Sequence, residues 1–169
     1  YIKRCVGLPG DSLSIRNAQL FINGVAAQNP THRQFLYRVE PQNVNLKKLA
    51  EWGISLSSEQ DRMLAGRGLF NLDDEQVQKI KSLGSNIQVT RVPQDREPGY
   101  VFPNDPKRYG GWTVDDYGPI YIPKKGVTTP LTLDNLPFYV RVISAYEGNT
   151  LEVRDGKIFI NGQEANTYT

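Results

Sequence analysis

The sequence predicts an α+β fold, mainly antiparallel β-structure, in which two similar β-hairpins flank a helical insertion. The first observation behind this is an internal repeat. Gly10 to Gly24 reads GDSLSIRNAQLFING and Gly148 to Gly162 reads GNTLEVRDGKIFING, with identity at the leading Gly, at Leu13/Leu151 and Arg16/Arg154, and through the closing Phe-Ile-Asn-Gly. The second is a change of apolar period, from two within the copies to a helical spacing between them. The third is a Pro-, Gly-, Asp- and Tyr-rich stretch, 93–118, whose composition favours an ordered turn-rich loop over regular structure.

The chain opens on an apolar strand, Tyr1 to Val6, running into a Gly7-Leu8-Pro9-Gly10-Asp11 turn. Strand geometry puts Tyr1, Lys3 and Cys5 on one face and Ile2, Arg4 and Val6 on the other. Each repeat copy then reads as a hairpin, with Asn17-Ala18 and Asp155-Gly156 at the turn positions. Asn45 to Trp52 has helical spacing, with Leu46, Leu49 and Ala50 on one face and Gly53 as a stop. Ser57-Ser58-Glu59-Gln60 and Asp73-Asp74-Glu75-Gln76 each place a capping side chain three residues before a glutamine, so helices are expected over about 58–65 and 74–83, the second buried through Val77, Ile80 and Leu83 and ended by Gly84. A further helix is expected over about 135–147: Leu136, Tyr139, Val140 and Ile143 share a face, Pro137 is tolerable in a first turn, and Gly148 can end it. These elements group as 1–29, the opening strand and first hairpin; 30–118, the insertion; and 119–169, a strand, a helix and the second hairpin.

Composition narrows the function. A net charge of +2 and a pI near 8.6 are too mild to argue for nucleic acid. No apolar run approaches the roughly 20 residues that span a bilayer. Cys5 and His32 are each the sole residue of their type, so neither an internal disulfide nor a Cys/His or zinc constellation is expected, and no metal or organic cofactor is implied. Asp115-Asp116 reads as solvated carboxylate without chemistry, and Lys124-Lys125-Gly126 as a solvated turn after a strand. The aromatics Tyr100, Phe102, Tyr109, Trp112 and Tyr117 are expected to pin their loop to the body of the domain.

Lys3 carries the chemistry. A lysine among apolar neighbours on a buried strand face is desolvated, which disfavours the ammonium and makes a general base near neutral pH. Pattern alone also allows an edge lysine that snorkels to water and discourages strand pairing. The string YIKRCVGLPGD resembles the lysine-bearing box of the type I signal peptidases, the Ser/Lys proteases that remove signal peptides from exported proteins; each position of the aromatic-aliphatic-Lys-Arg-x-aliphatic-Gly-aliphatic-Pro-Gly-Asp pattern is matched. The resemblance implies that Lys3 is the general base for a serine hydroxyl. It implies that Tyr1 and Ile2 help line the pocket for the small residue preceding the scissile bond, and that Gly7, Pro9, Gly10 and Asp11 form a supporting turn.

Members of that family also carry an S-M-x-P-T nucleophile box and a G-D-N-R-x-x-S-x-D-S-R box, and neither occurs in these residues. Ser12 and Ser14 lack the context of an activated serine. The expectation is therefore a fragment reaching from the lysine box to just before the G-D-N-R box, inert by itself. The run from Trp112 through Tyr121-Ile122-Pro123-Lys124-Lys125-Gly126 to Asn161-Gly162 resembles the extended Bacteroidetes-type form, with Thr167-Tyr168-Thr169 just ahead of that box. The resemblance implies signal peptides of exported preproteins as partners, no nucleic acid, and a membrane anchor outside these residues. It implies a catalytic domain on the periplasmic side of the inner membrane. Two other readings stand beside it: a non-enzymatic extracytoplasmic binding module built from duplicated hairpins, and an SOS-type Ser/Lys self-cleaving protease.

Overall fold

The computed structural model describes residues 5–41, 45–93 and 100–169. In chain order the first elements are β1 (Ser12–Arg16), β2 (Gln19–Ile22), β3 (Val25–Ala26), β4 (Phe35–Glu40), α1 (Leu46–Glu51), α2 (Glu59–Ala65), β5 (Leu69–Leu72), α3 (Asp74–Lys81) and β6 (Gln88–Arg91). They are followed by α4 (Pro106–Tyr109), β7 (Tyr117–Tyr121), β8 (Thr129–Pro130), α5 (Leu136–Val140), a π-helical turn (Arg141–Tyr146), β9 (Leu151–Arg154), β10 (Lys157–Ile160), β11 (Gln163–Glu164) and β12 (Thr167–Tyr168). All strand pairs are antiparallel, and the fold is α+β. Two compact units result, 1–27 with 95–169, and 28–94.

The first unit contains both repeats, and each is the expected hairpin, extended just beyond the copy by a short third strand into a meander. In β1–β2 Leu13 faces Ile22 and Arg16 faces Gln19; in β9–β10 Leu151 faces Ile160 and Arg154 faces Lys157. Both turn residues of each hairpin have positive φ, Asn17 (48°) with Ala18 (59°) and Asp155 (49°) with Gly156 (75°), the primed geometry whose twist suits a two-residue hairpin. The Asn-Gly that closes each copy is a second turn, with Asn23 and Asn161 at 53° and 51°, and it leads into β3 and β11. Arg16 lies 5.2 Å over the Phe21 ring and Arg154 4.3 Å over Phe159, so the repeated Arg and Phe stack across the hairpin in both copies.

Beyond these, β7 pairs with β1, giving the order β3-β2-β1-β7, while β9 remains the outer strand of β11-β10-β9. The expected helix after Asn135 forms, but it changes character after Val140: α5 runs on as a π-helical turn that ends at Gly148 (φ 72°). Leu136, Tyr139 and Ile143 are buried with Leu131 and Ile158, whereas Val140, expected on that face, is exposed. The insertion boundary expected at 118 falls at 94, because the following loop belongs to the first unit. Tyr109, Trp112 and Phe102 pack on Phe138, and Trp112 also packs on Tyr117. Asp115, expected to be solvated, is buried. Its carbonyl accepts Ala18 N–H at 2.7 Å, and Asp116 Oδ1 accepts Asn17 N–H at 2.9 Å, so this pair holds the β1–β2 turn.

The second unit is built on a sheet that helical periodicity concealed, in the order β5-β4-β6. Its core is Val39, Leu49, Ile54, Ala65, Phe70, Leu72, Val77 and Ile80. Asn45 caps α1 by accepting Lys47 N–H at 3.0 Å; Leu49 is buried, while Ala50 is exposed. Asp73 and Gln76 form the expected capping box, with Asp73 Oδ1 accepting Gln76 N–H at 2.8 Å and Gln76 Oε1 accepting Asp73 N–H at 3.0 Å. The α2 cap sits one residue later than expected: Ser58 Oγ accepts Asp61 N–H at 3.0 Å and donates to the Asp61 carboxylate at 2.7 Å. The α3 helix ends at Lys81 rather than Leu83, where the Ser82 hydroxyl donates to the Lys79 carbonyl at 2.7 Å and stops the ladder before Gly84.

Candidate active site

Lys3, Tyr1 and Ile2, the residues expected to act as base and pocket, lie outside the described residues. What is described is the turn that follows them, and Cys5 and Val6, expected to end a strand, lie in none. Gly10, at φ +100°, donates its N–H to the Ile122 carbonyl at 2.8 Å, and Ile122 N–H donates to the Asp11 carbonyl at 2.8 Å. That left-handed conformation is one glycine adopts without steric cost. A side chain at Gly7 would place its Cβ 2.7 Å from Ile122 Cδ1 and 2.8 Å from Leu13 Cδ1, so those two side-chain ends would have to shift to admit one.

Asp11 is the knot of this turn. Its backbone N–H donates to the Leu8 carbonyl at 2.9 Å, closing Leu8–Asp11, and its Oδ2 accepts Leu8 N–H at 2.8 Å. Its Oδ1 accepts from Asn23 Nδ2 at 2.8 Å, while Asn23 Oδ1 accepts Ser12 N–H at 2.9 Å. The Leu8 N–H, and after it the Asn23 amide, favour the ionised carboxylate and hold Asp11 below the usual aspartate range. The turn is thus tied both to Ile122, the residue after β7, and to the far end of the first hairpin. Cys5 is exposed, and its thiol donates to the Gly7 carbonyl at 3.2 Å. Ser14 is buried in β1 opposite Phe21, a place suited to packing rather than to attack on a peptide.

The second copy reproduces the clamp with a neutral residue. Asn149 takes the place of Asp11: its Oδ1 accepts from Asn161 Nδ2 at 2.8 Å, and Asn161 Oδ1 accepts Thr150 N–H at 2.9 Å. Asn149 Nδ2 donates to the Tyr168 hydroxyl at 2.6 Å, and that hydroxyl donates to Glu147 Oε2. The Glu147 carboxylate, then burial, push the Tyr168 phenol up to about 12. Tyr168 and Glu147 border a cleft of about 640 Å³ whose walls include Leu131, Tyr139 and Val142, with Lys124 at its edge. Among the described residues no group of three or more His, Cys, Asp or Glu is arranged to hold a metal, and no helix is long and apolar enough to cross a membrane.

Asn23 and Ile122 escaped the sequence reading. The available signal was the Asp/Asn at 11 and 149 recurring with the Asn at 23 and 161, a spacing that brings both ends of a hairpin together. Residues 1–96 match the family model described as signal peptidase, peptidase S26. A stretch of 46 residues is 37% identical to signal peptidase I U of Bacillus subtilis (strain 168), covering 27% of this chain and 25% of that protein. The match therefore spans about a quarter of the curated relative's length. No solved structure matches the chain.

Proposed function

Because the chain belongs to the signal peptidase S26 family, we propose that it supplies the general base of a Ser/Lys endopeptidase that removes signal peptides from exported proteins. The observation that carries this reading is the clamp around Leu8–Asp11. A general base works only when held within hydrogen-bond reach of its nucleophile, and the turn that follows the lysine in sequence is fixed at both ends. In the proposed mechanism neutral Lys3 Nζ accepts the proton of a serine hydroxyl as its oxygen attacks the scissile carbonyl. The Lys3 ammonium returns that proton to the leaving nitrogen as the C–N bond breaks, and the lysine, neutral again, takes a proton from the water that hydrolyses the acyl-enzyme and passes it to the departing serine oxygen. Tyr1 and Ile2 line the pocket for the small residue before the scissile bond. The serine belongs to the S-M-x-P-T motif, which these 169 residues do not contain. The partners on this reading are signal peptides, presented at the periplasmic face of the inner membrane, with the anchor outside these residues.

Such a base without its nucleophile is inert. The 169-residue chain is expected to cleave a synthetic signal-peptide substrate no faster than its Lys3→Ala variant. Cleavage above that control would overturn the expectation that the chain is inert and mean that it supplies its own nucleophile, whereas equal cleavage by chain and variant would remove Lys3 from the reaction.

A further inference from the structure

The two copies of the repeated meander differ in what lies beyond their first strand. β1 is covered by β7, with Leu13 opposite Ile120 and Ile15 opposite Tyr117. The equivalent strand of the second copy, β9, is the outer strand of its sheet. Its hairpin closes on Arg154 opposite Lys157 around a two-residue turn, so Arg154 and Glu152 exchange hydrogen bonds with β10, while Leu151 and Val153 direct their backbone N–H and C=O outward. The bond from Asn161 N–H to the Thr150 carbonyl, 2.9 Å, confirms the alternation. Among the described residues no backbone partner takes the outward groups of Leu151 and Val153. The consequence is visible in exposure: Ser14 is 8% exposed, its counterpart Glu152 is exposed, and Val153 is 51% exposed.

We propose that β9 is an interface for a second copy of this chain, the two β9 strands pairing antiparallel about a two-fold axis beside Val153. The choice of register follows from charge. An axis at Glu152 would set that carboxylate against itself, and an axis at Leu151 would set Val153 against Asn149, already engaged with Asn161 and Tyr168. An axis at Val153 sets Glu152 opposite Arg154 of the second copy, twice, and Val153 against its own equivalent. Within one copy Arg154 Nε and Glu152 Oε2 already lie 3.2 Å apart, so pairing extends two charges into a two-by-two cluster in which each neighbour is of opposite sign. On the opposite face the paired Val153 side chains continue the apolar surface of Leu151, Ile158 and Ile160. The product is one continuous sheet of six strands, β11-β10-β9 and its two-fold mate.

Sedimentation velocity on the 169-residue chain over a concentration series, with disulfide trapping in a Cys5→Ser background, tests the proposal. In the stated register the two residues 153 have Cα atoms about 5.5 Å apart, within disulfide range. Val153→Cys is expected to oxidise to a covalent dimer about tenfold faster than Met63→Cys, an exposed position on the other unit. Glu152→Arg should shift the dimerisation midpoint up about tenfold, and Glu152→Arg combined with Arg154→Glu should restore it. Circular dichroism of the exposed-site variants separates lost pairing from lost fold. A chain that is monomeric at all concentrations, with both cysteines oxidising equally slowly, would overturn the proposal and mean that the two charges guard the edge. So would a dimer indifferent to the charge swap.

Discussion

Asp11 and Asn149 occupy the same place in the two copies, and their difference in charge predicts that only the first clamp responds to acid. Ionised Asp11 accepts from Leu8 N–H at Oδ2 and from Asn23 Nδ2 at Oδ1, and an asparagine there would turn its NH2, a donor, toward one of these two donors. Its folded-state pKa is lowered, so the stability it contributes is present above the ordinary aspartate value and is lost as pH falls through the lowered one. Asp11→Asn should therefore lower stability at neutral pH and flatten the acid limb of the urea midpoint plotted against pH. Tyr168 works in the other direction. Its folded pKa is raised to about 12, so its contribution is complete below the unfolded value near 10 and disappears as pH climbs through the raised one. Spectroscopic titration of phenolate absorbance should show several tyrosines ionising late, Tyr168 beside Tyr109, Tyr117 and Tyr139, which burial also raises, and Tyr168→Phe should remove one of those late steps and lessen the alkaline loss of stability.

At the level of elements, the first hairpin depends on β7, and β7 depends on a glycine. At Gly118 (φ +87°) an added Cβ would lie 2.7 Å from the Leu13 carbonyl oxygen and 3.2 Å from Ser14 Cα. Gly118→Ala therefore combines backbone strain with a clash against backbone that cannot rotate away, and should cost about 2–4 kcal/mol in chemical denaturation. Asp73→Ala should cost about 1–2 kcal/mol, since it removes the α3 cap and the 2.8 Å contact with His32 Nδ1. What the sequence disclosed at this scale follows from how local each signal is. Both hairpin turns and the Asp73–Gln76 box are specified within four residues, and both were legible. The sheet β5-β4-β6 was not: each strand has four to six residues, and its pairing joins Phe35 to Leu72 and Glu40 to Gln88, contacts that no local period reveals. The π-helical turn after Val140 was likewise hidden, because Leu136, Tyr139 and Ile143 suit an ordinary helix. At the candidate site the motif pointed to Lys3, which lies outside the described residues, whereas the clamp through Asn23 and Ile122 arises from the chain folded back on the turn.

Across the whole molecule, two separate cores serve separate ends. The unit 28–94 is held by its own cluster, in which Leu49, Leu72 and Ile80 are fully enclosed. Leu72→Ala should cost about 2–5 kcal/mol in that unit. The unit carrying the lysine box is organised around duplicated meanders, only the first of which is covered by a further strand, and the functional reading rests there. That reading makes Lys3 indispensable wherever this chain operates with its serine. The most direct measurement is kcat for signal-peptide cleavage by the protein that carries these residues together with an S-M-x-P-T motif, compared with its Lys3→Ala variant at matched folding. Loss of about a thousandfold or more is the predicted result, and a variant retaining activity within a few fold of the parent would contradict the account.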